Sequence, residues 1–172
     1  LSFAESLVTL NLKPERGIRC IADIQSEIRK QAAENPAGAW IRGRGYNEFY
    51  LAEKRHPTRR DLDEAAPNHP VKLTHRSGHA HVLNSLAMER VGITMETPEP
   101  PGGMIDRDLD TGVPSGLLYE MGDFLSTRIP PSPGRKWDKA IFLADQEILS
   151  SGITTIQEAS FQNDMKRRAL FQ

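Results

Sequence analysis

The chain has 172 residues, and its 22 Lys and Arg stand against 23 Asp and Glu for a formal net charge of -1; without a long basic block it has no electrostatic footprint for nucleic acid or an anionic membrane. Its longest uninterrupted apolar run is residues 140–144, far short of the roughly 18 to 20 residues of a membrane helix, so no membrane partner is expected either. The single cysteine, Cys20, excludes an internal disulfide and a thiolate zinc site, and it reads as a small buried hydrophobe in a reducing, cytoplasmic setting.

The chain opens on Leu1, inside an apolar helix-like stretch (Phe3, Ala4, Leu7, Val8, Leu10), and closes on the helical pattern of 164–172 without a stop signal. Such ends are the expectation for a piece of a longer protein. A first amphipathic helix is predicted over 18–34, where Ile18, Ile21, Ile24, Ile28 and Ala32 recur near a 3.6 period and Asn35-Pro36 stops it. Residues 38–46 then read as a short apolar strand running into a tight turn at Gly43-Arg44-Gly45. Thr58, with Asp61 three residues on, starts a short helix that Pro67 must end. Residues 70–76 alternate, with Val71, Leu73 and His75 on one face and Lys72, Thr74 and Arg76 on the other, as a strand does. A helix over 79–92 is predicted from the stripe Val82, Leu83, Leu86, Ala87 and Val91, with Gly92 as its cap.

Residues 96–134 are loop-rich, and the apolar segments on either side of the Gly/Asp/Pro cluster 108–116 suggest a β-hairpin. After Pro130, Pro131 and Pro133 comes a helix with Trp137, Ile141, Ala144 and Ile148 in register and Gly152 at its end. The β-branched segment 153–156 reads as a strand, followed by a last helix. Alternation of this kind favours an α/β layer fold with parallel pairing. Three candidate strands are too few for a complete barrel, so the expected architecture is a partial one.

The most conspicuous polar signal is His75-Arg76-Ser77-Gly78-His79-Ala80-His81, at the end of a predicted strand. His79 and His81 have a His-x-His spacing suited to one ion from an extended segment, but on a helical turn the two rings diverge by about 200°. Arg76 could hold a carboxylate or a leaving oxygen, or be a solvated strand-end arginine. Asn84 lies within an apolar stripe where Asn is a poor helix former; a structural hydrogen bond to a neighbouring loop and a substrate contact are both open. Glu120 and Glu158 are candidate acids or bases. Gly43 and Gly45 lack the third glycine of a dinucleotide fingerprint, and Ser77, Ser115 and Ser160 lack a nucleophile-elbow context.

The ordered set of motifs is more specific than any of these. Trp40-Ile41-Arg42-Gly43-Arg44-Gly45-Tyr46, Arg60-Asp61-Leu62-Asp63 with 66–71, Ser77-Gly78-His79 with Asn84-Ser85-Leu86-Ala87, Pro101-Gly102-Gly103 with 111–116, and Gly152-Ile153-Thr154-Thr155 resemble amidohydrolase family 3 of the metal-dependent amidohydrolases. The resembling branch holds N-substituted formamide deformylase-like and exoenzyme-regulator-like proteins. The resemblance implies an α/β fold, a partial (β/α)8 barrel of about three β/α units plus an insertion over 96–134, with 1–172 as an internal segment of one catalytic barrel.

It also implies hydrolysis of a non-peptide carbon–nitrogen bond by water activated on a divalent metal, zinc above all, which lowers the pKa of water and polarises a carbonyl. The implied ligands are a His-x-His at the first barrel strand, a carboxylatable lysine, two further histidines and a late aspartate, none of them identified in this chain. No catalytic or metal-ligating residue is therefore assigned here, and the isolated chain is expected to be inactive. His79 matches the family's motif histidine and is the leading pocket residue, with Arg76, Asn84, Tyr46 and Glu120 in or beside the pocket. His81 falls on a variable position and is expected on a helix surface. Tyr46 stands where the family often has Trp, which blurs the substrate. The expected partners are a small-molecule substrate and a second copy of the chain. The rival reading is a stand-alone binding module derived from a barrel.

Overall fold

The structure is a computed structural model that describes residues 4, 7–131 and 134–157, with the backbone alone over 134–137. Two compact units divide the chain, one spanning Thr9–Pro130 and the other combining residues 1–8 with 131–172.

The larger unit holds one six-stranded sheet. Strand β1 (Leu10–Asn11) leads through a single 3-10 turn into helix α1 (Ile21–Glu34), then β2 (Ile41–Tyr46), helix α2 (Arg59–Ala65) and β3 (Val71–His75). β1, β2 and β3 pair in parallel, each joined to the next by a helical crossover. The direction then reverses. β4 (Ala80–Leu83) pairs antiparallel with β3; after helix α3 (Ser85–Val91) come β5 (Met104–Arg107) and β6 (Pro114–Tyr119), and β6 pairs antiparallel with both β4 and β5. Helix α4 (Gly122–Ser126) follows. The fold is mixed α/β with the strand order β1-β2-β3-β4-β6-β5, and the hairpin expected around 108–116 is β5 and β6.

Each face of this sheet carries its own core. Ile21, Ile24 and Ile28 of α1 and Leu62 and Ala65 of α2 pack with Leu12, Ile41, Leu73, Val82 and Leu117. Leu83 and Leu118 instead join Ala87, Met88 and Val91 of α3 and Leu125 of α4. Adjacent residues of a strand point to opposite faces, so Val82 and Leu83, like Leu117 and Leu118, are buried against different layers. β4 is accordingly buried at every position.

That double burial corrects the helix expected over 79–92. Val82 and Leu83 match a helical stripe, but a strand covered on both faces also reads as a continuous apolar run; Asn84 then caps α3, and Gly92 closes it in a left-handed conformation as expected. His81, expected on a helix surface, is a buried strand residue with only 4% of its surface exposed.

The turn expected at Gly43-Arg44-Gly45 is also corrected, because both glycines lie inside β2. The pairing of β2 with β3 shifts between Arg44 and Tyr46, and Gly45 occupies the irregularity with φ +92°. It is a bulge, which re-aims the next side chain. Cys20 is a half-buried residue at the start of α1 rather than a core one. There Asp23 accepts the backbone N–H groups of Arg19 (2.8 Å) and Cys20 (3.1 Å). The Thr58 cap is as expected, with Asp61 Oδ2 accepting the Thr58 N–H at 2.6 Å.

In the smaller unit, helix α5 (Gly134–Ser150) buries Ala140 and Ala144 beside Ala4. Gly152 ends it as predicted, with the Ile153 N–H donating back to Ile148 O at 3.1 Å. The strand expected over 153–156 is not formed: these residues are exposed and have no ladder partner among the described residues, and β-branched composition alone does not make a strand. Trp137's side chain, Glu158, Ser160 and the last helix lie outside the described residues.

Gly116 shows how tightly the larger unit is closed. It sits in β6 at φ +97°, and a Cβ there would collide with the Leu83 carbonyl oxygen and come within 2.9 Å of the Arg59 backbone N. Both neighbours are backbone and cannot yield. Gly116→Ala is expected to cost more than about 2 kcal/mol in urea unfolding, from left-handed strain plus overpacking, while Gly112→Ala, at φ +70° in open space, should cost only about 1 kcal/mol.

Candidate functional site

In open α/β sheets the polar site residues gather outside the carboxyl ends of the parallel strands. Here those ends are Tyr46 on β2 and His75 on β3, which are register partners. The Gly45 bulge turns Tyr46 inward, where it is fully buried. Asn47 follows at once, and its side chain accepts the Phe49 N–H at 3.2 Å, fixing a one-turn helix (Glu48–Tyr50) over the strand ends. His56 reaches the same place from the loop before α2.

The result is a cluster of rings around one carboxylate. Tyr46 Oη lies 2.9 Å from His56 Nδ1. His75 Nε2 is 2.9 Å and His56 Nε2 3.9 Å from Glu48 Oε2; the closer contact is an ion-pair distance angled outside hydrogen-bond geometry. Edge-to-face contacts link Tyr46 to His75 at 5.4 Å, His56 to His75 at 5.6 Å and His56 to Tyr119 at 6.0 Å.

Burial pushes the His56 and His75 pKa values down, against the opposing pull of Glu48, and pushes the Tyr46 phenol up. At neutral pH the cluster is therefore two neutral imidazoles and a neutral phenol beside Glu48. The His75 tautomer is fixed by its neighbours. Ser77 donates to Nδ1 from both its N–H (3.2 Å) and its hydroxyl (2.8 Å), so the ring proton sits on Nε2, facing Glu48.

A cleft of about 450 Å³ opens beside this cluster, lined by Asn47, Phe49, Tyr50, His75, Arg76 and Ser77. Phe49 and Tyr50 stay 68% and 56% exposed and meet edge to face at 5.4 Å. The cleft thus offers an apolar aromatic wall, a guanidinium, a hydroxyl and an amide, a set suited to a small polar molecule with an apolar substituent.

The structure distributes the five residues expected from sequence unevenly. Arg76 lines the cleft, and Tyr46 lies beneath it against His75. His79 Nδ1 contacts both Glu120 oxygens, at 2.9 and 3.0 Å, an exposed pair of a kind that contributes little to stability. The His79 N–H also donates to Ser77 Oγ at 3.2 Å, which ties this pair to the cleft rim. Glu120 holds a left-handed backbone at φ +52°.

Asn84 is placed elsewhere. Its oxygen accepts Val71 N–H and Ala87 N–H, both at 2.9 Å, and its amide donates to His69 O at 2.8 Å and Ala66 O at 3.3 Å. Its hydrogen-bonding capacity is spent on backbone, so it is a structural clamp. Missed by sequence reasoning were Glu48, His56, Phe49, Tyr50 and Tyr119; the only local signal was the aromatic pair beside Gly-x-Gly-Tyr, and nothing in spacing links His56 to His75.

The fold is that of a metal-dependent hydrolase of Pyrococcus horikoshii OT3, not otherwise characterised, whose crystal structure superposes with a TM-score of 0.65 at 21% identity over 99% of this chain and 31% of that one. Residues 8–170 match the model of the amidohydrolase family, and the chain belongs to that family. It is 36% identical over 163 residues to N-substituted formamide deformylase of Arthrobacter pascens, covering 92% of this chain and 29% of that protein. It is 33% identical over 130 residues to the protein LONG AFTER FAR-RED 3 of Arabidopsis thaliana, covering 74% and 22% respectively. The chain thus spans less than a third of the length of these relatives.

A metal of the kind that the family resemblance implies finds no fitting set of ligands among the described residues. Among the described residues no group of three or more His, Cys, Asp or Glu is arranged to hold an ion, and in the ring cluster His56 Nδ1 is taken by Tyr46 and His75 Nδ1 by Ser77.

Two outcomes follow for the site's scaffold. Asn84→Ala strands two buried donors and two acceptors and is expected to cost at least about 3 kcal/mol in thermal or urea unfolding; Asn84→Asp, which sets a carboxylate oxygen against two carbonyls, should lose nearly as much. His81 gives the pH dependence. Burial, then Lys72 and His79, push its pKa from 6.5 down to about 3, so the unfolded chain takes up the proton first. Stability is whole above about pH 6.5 and falls as the pH drops toward 3, by up to about 1.4 kcal/mol per pH unit. His81→Gln is expected to flatten this slope, measured as midpoint against pH.

Proposed function

We propose that this chain forms the substrate-binding wall of a hydrolase that cleaves a non-peptide carbon–nitrogen bond, of the amide or formamide type, in a small molecule. One observation carries the reading: a cleft with an aromatic wall, Arg76 and His75 opens at the carboxyl ends of β2 and β3 in a chain of the amidohydrolase family. In a (β/α)8 barrel these ends face the active site, and β1-α1-β2-α2-β3 is a run of parallel β/α units suited to such a barrel. The N-substituted formamide deformylase relative supports formamides as the first substrates to try. Phe49 and Tyr50 receive the apolar N-substituent, and Arg76 hydrogen-bonds the polar end. Tyr46 fixes the His75 ring from below, and the His79–Glu120 pair stands at the rim.

In this reading a divalent metal, zinc above all, is held by side chains other than those described here. The residues of this chain bind and orient the substrate. The 172-residue chain alone is expected to show no amide turnover with added zinc, whereas a longer protein carrying it should hydrolyse N-substituted formamides. In that protein Arg76→Ala and Tyr50→Ala should each raise KM about tenfold, a loss of about 1.4 kcal/mol of binding, with kcat nearly unchanged. Steady-state kinetics on a panel of formamides and amides checks this. Absence of carbon–nitrogen hydrolysis across the panel with zinc, manganese or cobalt supplied, or a KM indifferent to both substitutions, would overturn it.

A further inference from the structure

We propose that Ser77 is a nucleophile in its own right, activated by His75 and oriented through Glu48, and that the cleft carries out acyl transfer on small activated esters without a metal. The arrangement has two of the contacts such chemistry uses, a nucleophile hydrogen-bonded to a base and, on the base's far side, a carboxylate at ion-pair distance that needs only a small turn to accept its ring proton. Ser77 Oγ lies 2.8 Å from His75 Nδ1, and His75 Nε2 lies 2.9 Å from Glu48 Oε2.

The proton inventory agrees with this role. The Ser77 N–H donates to Nδ1, so Nδ1 is the unprotonated nitrogen, its one lone pair shared between that N–H and the closer hydroxyl, and the ring proton lies on the side of Glu48. Burial keeps the ring neutral at pH 7, so the base is available without a change of pH. Ser77 itself is exposed at the cleft and its Oγ accepts the His79 N–H, so the hydroxyl is held in place with its proton directed at the base. Asn47 and Arg76 line the same cleft and are the donors available to a carbonyl oxygen that becomes negative. Sequence context does not announce the site, because no glycine-flanked elbow surrounds Ser77; the base comes from the same strand end and the carboxylate from the loop after β2.

The reaction balances with water as the only co-reactant. Ser77 Oγ attacks the ester carbonyl carbon while its proton passes to His75 Nδ1. The carbon–oxygen bond to the leaving alcohol breaks, and the alkoxide takes that proton. Water, deprotonated by His75 in turn, attacks the acyl-serine, releases the carboxylic acid and restores the hydroxyl.

The test uses an alkyl fluorophosphonate, which forms an oxygen–phosphorus bond to an activated serine as fluoride leaves. Incubation of the purified protein followed by peptide mass spectrometry is expected to place the adduct on Ser77, and p-nitrophenyl acetate turnover should be lost in Ser77→Ala. His75→Gln is expected to slow labelling about 100-fold and Glu48→Gln about tenfold, each with a thermal melt recorded alongside. If His75→Gln does not fold, the comparison rests on Glu48→Gln and Ser77→Ala. No adduct on Ser77, or labelling at the same rate in the folded variants, overturns the proposal and leaves Ser77 as a residue that closes the β3–β4 turn. In a longer protein carrying this chain, a metal chelator should abolish formamide turnover and leave labelling of Ser77 intact, so this proposal and the amidohydrolase reading fail separately.

Discussion

The side chain of Asn84 is the contact on which the larger unit depends. A carboxamide has two acceptor sites and two donors, and here they join the start of β3, the first turn of α3 and the two carbonyls that follow α2. Those segments meet where the sheet changes from parallel to antiparallel, a place where the regular ladder cannot satisfy every backbone group. Asn84 supplies what the ladder lacks. The position of β3 fixed in this way sets where His75 emerges, and everything at the cleft is measured from His75.

A second constraint acts one strand away. Were β2 regular through Gly45, Tyr46 would continue the alternation of Arg42 and Arg44 and point to the opposite face of the sheet. The bulge brings it instead into the core beneath α1 and α2, with its hydroxyl on His56. The floor of the cleft is therefore a product of backbone geometry as much as of side-chain identity. Gly45 carries the positive φ that this geometry needs, and Lys13 packs against it, 2.8 Å from where a Cβ would stand.

Much of the fold was legible in the sequence because local signals agreed with the tertiary outcome. The periodicity of α1, the Thr58–Asp61 cap, the alternation of β3 and the hairpin of β5 and β6 each follow from spacing alone. The two β2 glycines and the run 80–83 were misread for one reason: both depend on what lies across the sheet. A glycine pair is a turn or a bulge according to its neighbouring strand, and an apolar run is a strand or a helix according to whether one layer or two cover it. The site divided along the same line. Arg76 could be picked out at a strand end and Tyr46 through the family resemblance, whereas Glu48 and His56 reach the cluster through loops that leave no periodic trace.

Gly116 separates two parts of the β5–β6 hairpin that differ in their freedom to change. Below it, β6 touches the backbone of β4 and the start of α2, so that no side chain can be added. Beyond it, the tip is held by Asp108, which accepts the Thr111 N–H at 2.9 Å, and Leu109 there is wholly exposed. In evolutionary terms the hairpin has a fixed root and a free tip: insertions and exchanges between Asp108 and Gly112 can accumulate among descendants without disturbing the sheet, while the root admits glycine alone.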